Sequence, residues 1–277
     1  MSLTVGKGEI VGLVGESGSG KSTIARAVLR LLPGGASVSG RVLVSGEDVL
    51  AMSPGALRDL RASQVSMIYQ DPRSSLNPVR RIGDFLTERM VLTLGRPKAE
   101  ARARALELLA AVGMRDPELR MRQYPHELSG GMLQRVVIAA ALAADPALLL
   151  ADEATSALDV TTQAETLALL RGIQAERELG MLFITHDLHL AAAFCDRVHV
   201  LYAGTVVESR PAKELFEIRA TRTPPGCWPA RPSSATRARS GPSPAGRPRS
   251  TTRSPAARSR PGVLTRRTRA RNGGRGP

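Results

Sequence analysis

Gly15-Glu16-Ser17-Gly18-Ser19-Gly20-Lys21-Ser22 decides the reading of this chain. The stretch follows a short apolar run, Glu9 to Val14, that ends against a glycine as a buried strand does. Behind it, Ser22 to Leu32 carries Ile24, Val28, Leu31 and Leu32 on one helical face, with Pro33-Gly34-Gly35 as the expected stop. A glycine-rich loop between strand and helix lets backbone N–H groups wrap an anion where the helix dipole favours negative charge. In a loop of this pattern Lys21 reaches the β- and γ-phosphates of a nucleotide, and the Ser22 hydroxyl ligates Mg2+. The plain alternative is a glycine-rich turn that matches by accident; the flanking strand and helix leave it little room.

Working outward, Val65 to Tyr69, Leu148 to Asp152, Met181 to Thr185 and Val198 to Tyr202 read as further strands. Ala203-Gly204 separates the last of these from Val206-Val207, as a tight hairpin would. Strands alternating with helical segments predict an α/β fold. Between Phe85 and Leu128 the pattern turns helical, with Ala99, Ala103, Leu106 and Ala110 repeating on one face, so a helical insertion is expected at about 85–135.

The run Leu148-Leu149-Leu150-Ala151-Asp152-Glu153 ends a strand in two carboxylates. Beside a phosphate loop, Asp152 suits the hydration shell of Mg2+, and Glu153 suits polarising an attacking water. Alone, two adjacent acids at a strand end are equally well explained as surface residues.

Leu128-Ser129-Gly130-Gly131-Met132-Leu133-Gln134-Arg135 resembles the LSGGQ-type sequence of ABC ATPases, and the resemblance extends from Leu3 to about Phe216. It implies the α/β phosphate-loop NTPase core of ABC type, with a helical insertion. It also implies ATP contacts at Gly15, Ser17, Gly18, Gly20, Lys21, Ser22 and Thr23. Ser129, Gly130 and Gly131 would meet the γ-phosphate held by an opposing subunit, and Asp159 matches the loop that crosses such a dimer. Catalysis is assigned by the same resemblance to Glu153, His186 and Gln70, and Mg2+ to Ser22, Gln70 and Asp152.

The stretch Tyr69-Gln70-Asp71-Pro72-Arg73-Ser74-Ser75-Leu76-Asn77-Pro78 looks like the oligopeptide, dipeptide and nickel importer branch of that family. Tyr124-Pro125-His126-Glu127 and Tyr202-Ala203-Gly204 agree with it. Ala154, where the family usually has Pro, and Leu133, often Arg, depart from the pattern at positions that make no chemistry. The implied function is ATP hydrolysis that powers uptake of peptides or similar small solutes, nickel among them. The implied partners are a second ATPase subunit, identical or not, two transmembrane permeases and an extracytoplasmic solute-binding protein. The expected location is the cytoplasmic face of the cell membrane, as a peripheral subunit.

Charge sharpens the picture. The chain of 277 residues carries a net +14, which alone would suggest nucleic acid. Yet residues 219–277 hold fifteen Arg and no acid, leaving 24 basic against 25 acidic residues before them, a balance of −1. No specific nucleic-acid partner is therefore expected. The basic tail invites a non-transport ABC ATPase acting on nucleic acid or ribosomes; the neutral body and the Gln70 stretch oppose it. Cys195 and Cys227 give no disulfide framework and fit a reducing compartment. Apolar runs such as Val136 to Ala144 are too short to span a bilayer, and no charged-then-apolar leader opens the sequence.

Both ends depart from the resembled family. Only fourteen residues precede Gly15 and no aromatic occurs before Tyr69, so an ATPase domain over 1–217 is expected to lack its first strand and the aromatic that stacks on adenine. Residues 218–277 are expected to be a disordered Arg/Pro-rich tail, because their composition buries too little apolar surface to offset ordering. Read one register out, Ile218 to Ala230 can encode PRHPYAAGLLAG, Arg239 to Pro248 an IPG motif, and Pro255 to Val263 PGCxFxPRC, three motifs of the family in their usual order. The expectation is a reading frame that slips near Phe216 to Ile218, with a non-functional product as a third reading. DNA sequence across those codons tests it.

Overall fold

The computed structural model describes residues 2–215; the tail expected over 218–277, and the frame slip proposed for it, lie outside them. The described chain runs β1 (Ile10–Gly15), α1 (Lys21–Val28), β2 (Leu43–Val44), β3 (Glu47–Asp48), α2 (Pro54–Asp59), β4 (Val65–Ile68), α3 (Ile82–Glu88), α4 (Lys98–Ala111), α5 (Pro117–Arg122) and α6 (Gly130–Leu142). It continues through β5 (Leu148–Asp152), α7 (Val160–Arg177), β6 (Gly180–Thr185), α8 (Leu188–Phe194), β7 (Arg197–Tyr202) and β8 (Thr205–Pro211). Two π turns, Leu60–Gln64 and Arg89–Thr93, extend α2 and α3.

Six strands form one sheet in the order β4-β5-β6-β1-β7-β8, parallel except for the β7–β8 pair. β1 lies near the middle, buried on both faces, so its sequence reads as a continuous apolar run rather than an alternating one. Its residues divide by parity. Ile10 and Val14 join the core under α6 and α8 with Phe183 and Phe194, while Val11 and Leu13 face Ala25 and Leu29 from the α1 side. The β7–β8 connection is the expected two-residue hairpin: Tyr202 pairs with Thr205, and Ala203 and Gly204 sit at φ 44° and 79°.

Two local readings need correction. α1 ends at Val28 rather than reaching Leu32, and Leu31 is 44% exposed. The reason is a Schellman closure one turn early: Leu31 N–H bonds Arg26 O at 2.8 Å, Arg30 N–H bonds Ala27 O at 3.0 Å, and Arg30 takes the left-handed φ of 47°. α4 is helical as expected, but its buried stripe is Ala101, Ala105, Leu108 and Leu109. The face with Ala99, Ala103 and Ala110 points outward. Alanines fill both faces, so the leucine pair, not the alanine spacing, decides which one packs. The helices α3 to α6 together occupy the interval between β4 and β5.

Candidate functional site

The phosphate loop sits where β1 hands over to α1, at the carboxyl end of the parallel strands. Gly20 caps α1 at φ 100°, a conformation that a side chain would strain. Gly15 is held for another reason: a Cβ there would lie 2.2 Å from Leu201 O and 2.8 Å from Ser19 Oγ. The β7–β8 turn closes over the loop from behind, with Gly204 N–H bonding Ser19 O at 3.0 Å. Lys21, 5% exposed, folds back so that Nζ donates to Gly15 O at 2.8 Å and Glu16 O at 2.7 Å. Ser17, Gly18 and Thr23 remain exposed on the outer side of the loop and first helical turn.

β5 delivers the two acids. The Ser22 hydroxyl donates to Asp152 Oδ1 at 2.9 Å, joining the first turn of α1 to the end of β5. Burial raises the Asp152 pKa above the ordinary carboxylate value, with the Ser22 hydrogen bond working against it and the Glu153 charge adding to it. Glu153 itself is a non-glycine residue at φ 49°, a backbone state that costs on the order of 1–3 kcal/mol and persists only where the surroundings impose it. Its N–H is pinned to Ile184 O at 3.0 Å. The carboxylate then lies between two side chains: Gln70 Nε2 donates to Oε2 at 2.8 Å, and His186 Nδ1 stands 3.3 Å from Oε1. Gln70 follows β4 and His186 follows β6, the two strands that flank β5 in the sheet, which is why residues so far apart converge.

The remaining residues singled out from sequence form a second group. Ser129 is the N-cap of α6 and accepts from Met132 N–H at 3.4 Å; Gly130 and Gly131 open that helix. Asp159 caps α7, with Thr162 N–H donating to Oδ1 at 3.0 Å and the Thr162 hydroxyl to Oδ2 at 2.7 Å, and these bonds hold its pKa down. The two caps adjoin, since a Cβ on Gly131 would come within 2.8 Å of Thr162 Cγ2. No hydrogen bond among the described residues runs from Ser129, Gly130 or Gly131 to the phosphate loop. Thr162 was not foreseen, although an Asp followed by a Thr three residues on is a helix-cap spacing that could have found it.

This fold and site define a phosphate-loop nucleotide-binding domain. The chain belongs to the ABC transporter family, whose model matches residues 1–156. It is 49% identical over 222 residues to the peptidoglycan transport ATP-binding protein YejF of Agrobacterium fabrum, covering 78% of this chain and 40% of that protein. It is 47% identical over 212 residues to the oligopeptide transport ATP-binding protein OppD of Bacillus subtilis, covering 76% and 59%. The chain thus spans between two fifths and three fifths of the length of these relatives. Among solved structures, CbiO1 of Clostridium perfringens, part of the ABC transporter complex CbiONQ, superposes with TM-score 0.70 at 27% identity, covering 79% of this chain and 83% of that one. The ATP-binding cassette MJ0796, in a dimeric post-hydrolysis state with ADP and Pi, gives 0.67 at 29% identity, covering 76% and 88%.

Proposed function

We propose that this chain binds and hydrolyses ATP to power the uptake of peptides or similar small solutes by an ABC importer. The observation that carries the reading is the Glu153 carboxylate, held between Gln70 and His186 one residue from the Asp152–Ser22 pair and beside the phosphate loop. A carboxylate so placed orients and deprotonates an attacking water. Lys21, on reaching a nucleotide, exchanges two backbone acceptors for phosphate oxygens, so its charge is already positioned before binding.

The donors at Asp152 and Ser22, with Gln70 nearby, are hard oxygens of the kind Mg2+ takes alongside nucleotide phosphates and water. Asp152 and Ser22 would hold the ion, which supplies charge neutralisation at the β- and γ-phosphates. Dimerisation is supported by the two separated groups. Each is a helix N-terminus suited to an anion, and a head-to-tail pair brings Ser129–Gly131 of one copy to the phosphate loop of the other. The pair would drive two permeases fed by an extracytoplasmic solute-binding protein. No described helix is long and apolar enough to cross a membrane, so attachment to the cytoplasmic face would run through the permeases. The names of OppD and YejF support a peptide-type solute.

Phosphate release from ATP by the full chain, measured alone and with its permease partners in vesicles, tests the reading. Turnover that rises with transported peptide supports it. A chain that neither hydrolyses ATP alone nor restores turnover in the assembled complex overturns it.

A further inference from the structure

At the end of α1 away from the phosphate loop, the helix is held by an arginine relay. The closure of α1 at Arg30 leaves its last carbonyls pointing out of the helix, and Arg61 takes them: Nε donates to Leu29 O at 2.8 Å and Nη2 to Arg30 O at 3.1 Å. A guanidinium at this end also complements the negative pole of the helix dipole, the opposite pole from Lys21 and Ser22.

Arg61 lies in the first π turn, and that turn is itself clamped. Arg89 Nη2 donates to Arg61 O at 2.9 Å and to Ala62 O at 2.8 Å, Nε donates to Ala62 O at 3.1 Å, and Nη1 bonds Ser66 Oγ on β4 at 3.1 Å. Arg89 is the first residue of the second π turn, which extends α3 at the start of the helical region. Among the described residues no carboxylate lies within ion-pair distance of it. A half-buried guanidinium facing only carbonyls and a hydroxyl is costly to desolvate, and burial lowers its pKa. Its cost is offset by a planar fork whose three nitrogens all donate, reaching Arg61 O, Ala62 O and Ser66 Oγ from separate points, where an ammonium would have to donate from a single nitrogen. π turns are rare and frequent at functional sites, and here a single side chain ties one to the other.

We propose that Arg89 is a positioning residue for the phosphate site: through Arg61 it fixes the C-terminal end of α1 and so sets, from the helical region, where Lys21 and Ser22 stand. α1 spans eight residues, about 12 Å, so a tilt imposed at Leu29 is delivered at Ser22. This route is separate from the Gln70–Glu153 contact. It links α3 to the loop that grips phosphate rather than to the carboxylate that orients water.

The test uses the full chain carrying Arg89→Met, Arg89→Lys, Arg61→Met and the Arg61→Met/Arg89→Met pair. Hydrogen exchange without nucleotide reads the structural half, which does not depend on the ATPase reading. Arg89→Met is expected to speed exchange at 60–66 and also at 25–31, a segment that receives no hydrogen bond from the Arg89 side chain. Steady-state hydrolysis reads the other half and rests on the proposed function. The expected kcat loss is about tenfold with KM within about threefold, the signature of an interaction that matters in the transition state. Arg89→Lys should share both effects, and the double variant should be less than about twofold worse than Arg61→Met alone, because the two act in series. Faster exchange confined to 60–66, additive losses in the double variant, or full retention by Arg89→Lys would each overturn the relay. If the parent hydrolyses no ATP but exchange spreads to 25–31, the relay stands and the functional reading falls.

Discussion

Gln70 and Glu153 stand 83 residues apart in sequence, yet Nε2 of one donates to Oε2 of the other at 2.8 Å. The bond holds one oxygen of the Glu153 carboxylate while His186 Nδ1 stands 3.3 Å from the other. Glu153→Gln keeps the shape and removes the proposed base. Turnover should fall by about 10²- to 10⁴-fold while ATP still binds, and nucleotide trapped by filtration alongside a phosphate-release assay separates the two. Normal turnover in this variant would strip Glu153 of its role.

Lys21→Ala should act on binding first. The buried ammonium donates two charge-assisted hydrogen bonds to the loop and faces the space where phosphates are expected. Such bonds are worth roughly 1.5–3 kcal/mol each, so ATP affinity by titration calorimetry should weaken by at least about tenfold. Unchanged affinity would remove the loop from the phosphate site.

His199 predicts a pH dependence of stability. It is buried in β7 with neither ring nitrogen hydrogen-bonded, and burial holds its pKa below the ordinary 6.5, helped by Arg197 and opposed by Glu9. The unfolded chain then binds the proton more readily than the folded one. Stability should be flat above 6.5, decline as pH falls from there through the folded pKa, and level off below it. Urea unfolding at a series of pH values should show this decline in the parent and a shallower one in His199→Leu; parallel curves would count against it.

Asp159→Ala should fray the start of α7. The carboxylate satisfies Thr162 N–H and holds the Thr162 hydroxyl, and the alanine satisfies neither. The melting temperature should drop and amides at 160–163 should exchange faster. If the proposed dimer forms through this region, closure on ATP should weaken as well, measured by sedimentation with the Glu153→Gln background; intact α7 protection would refute the cap.

The convergence of Ser22 with Asp152, and of Gln70 and His186 on Glu153, was legible because the patterns that hold these residues are short and tied to strand ends. A parallel strand buried on both faces announces itself as an unbroken apolar run, and β5 does so up to the point where Asp152 and Glu153 interrupt it. What escaped depends on contacts between distant segments. Nothing local marks Arg30 as the residue that adopts the left-handed closure of α1, since glycine is the usual choice and Gly34-Gly35 follow close by. The buried face of α4 was misread because alanine is small enough to stand inside or outside. The π turns and the reach of Arg89 to Ala62 O join segments 27 residues apart, which no periodicity encodes.

The place of β1 in the sheet bears on when the protein becomes competent during synthesis. Both of its hydrogen-bonded neighbours arrive late: Ile10 pairs with Met181 on β6, and Gly15 with Leu201 on β7. The backing of the loop arrives later still, with Gly204. A nascent chain therefore displays the whole glycine-rich loop long before anything can hold it in shape. Closing so distant a pairing is slow, and it leaves the apolar run Ile10–Val14 without its strand neighbours until β6 and β7 have been made. Ribosome-stalled chains ending near residue 170 should be blind to nucleotide, and those extended well past 206 should acquire it in a single step.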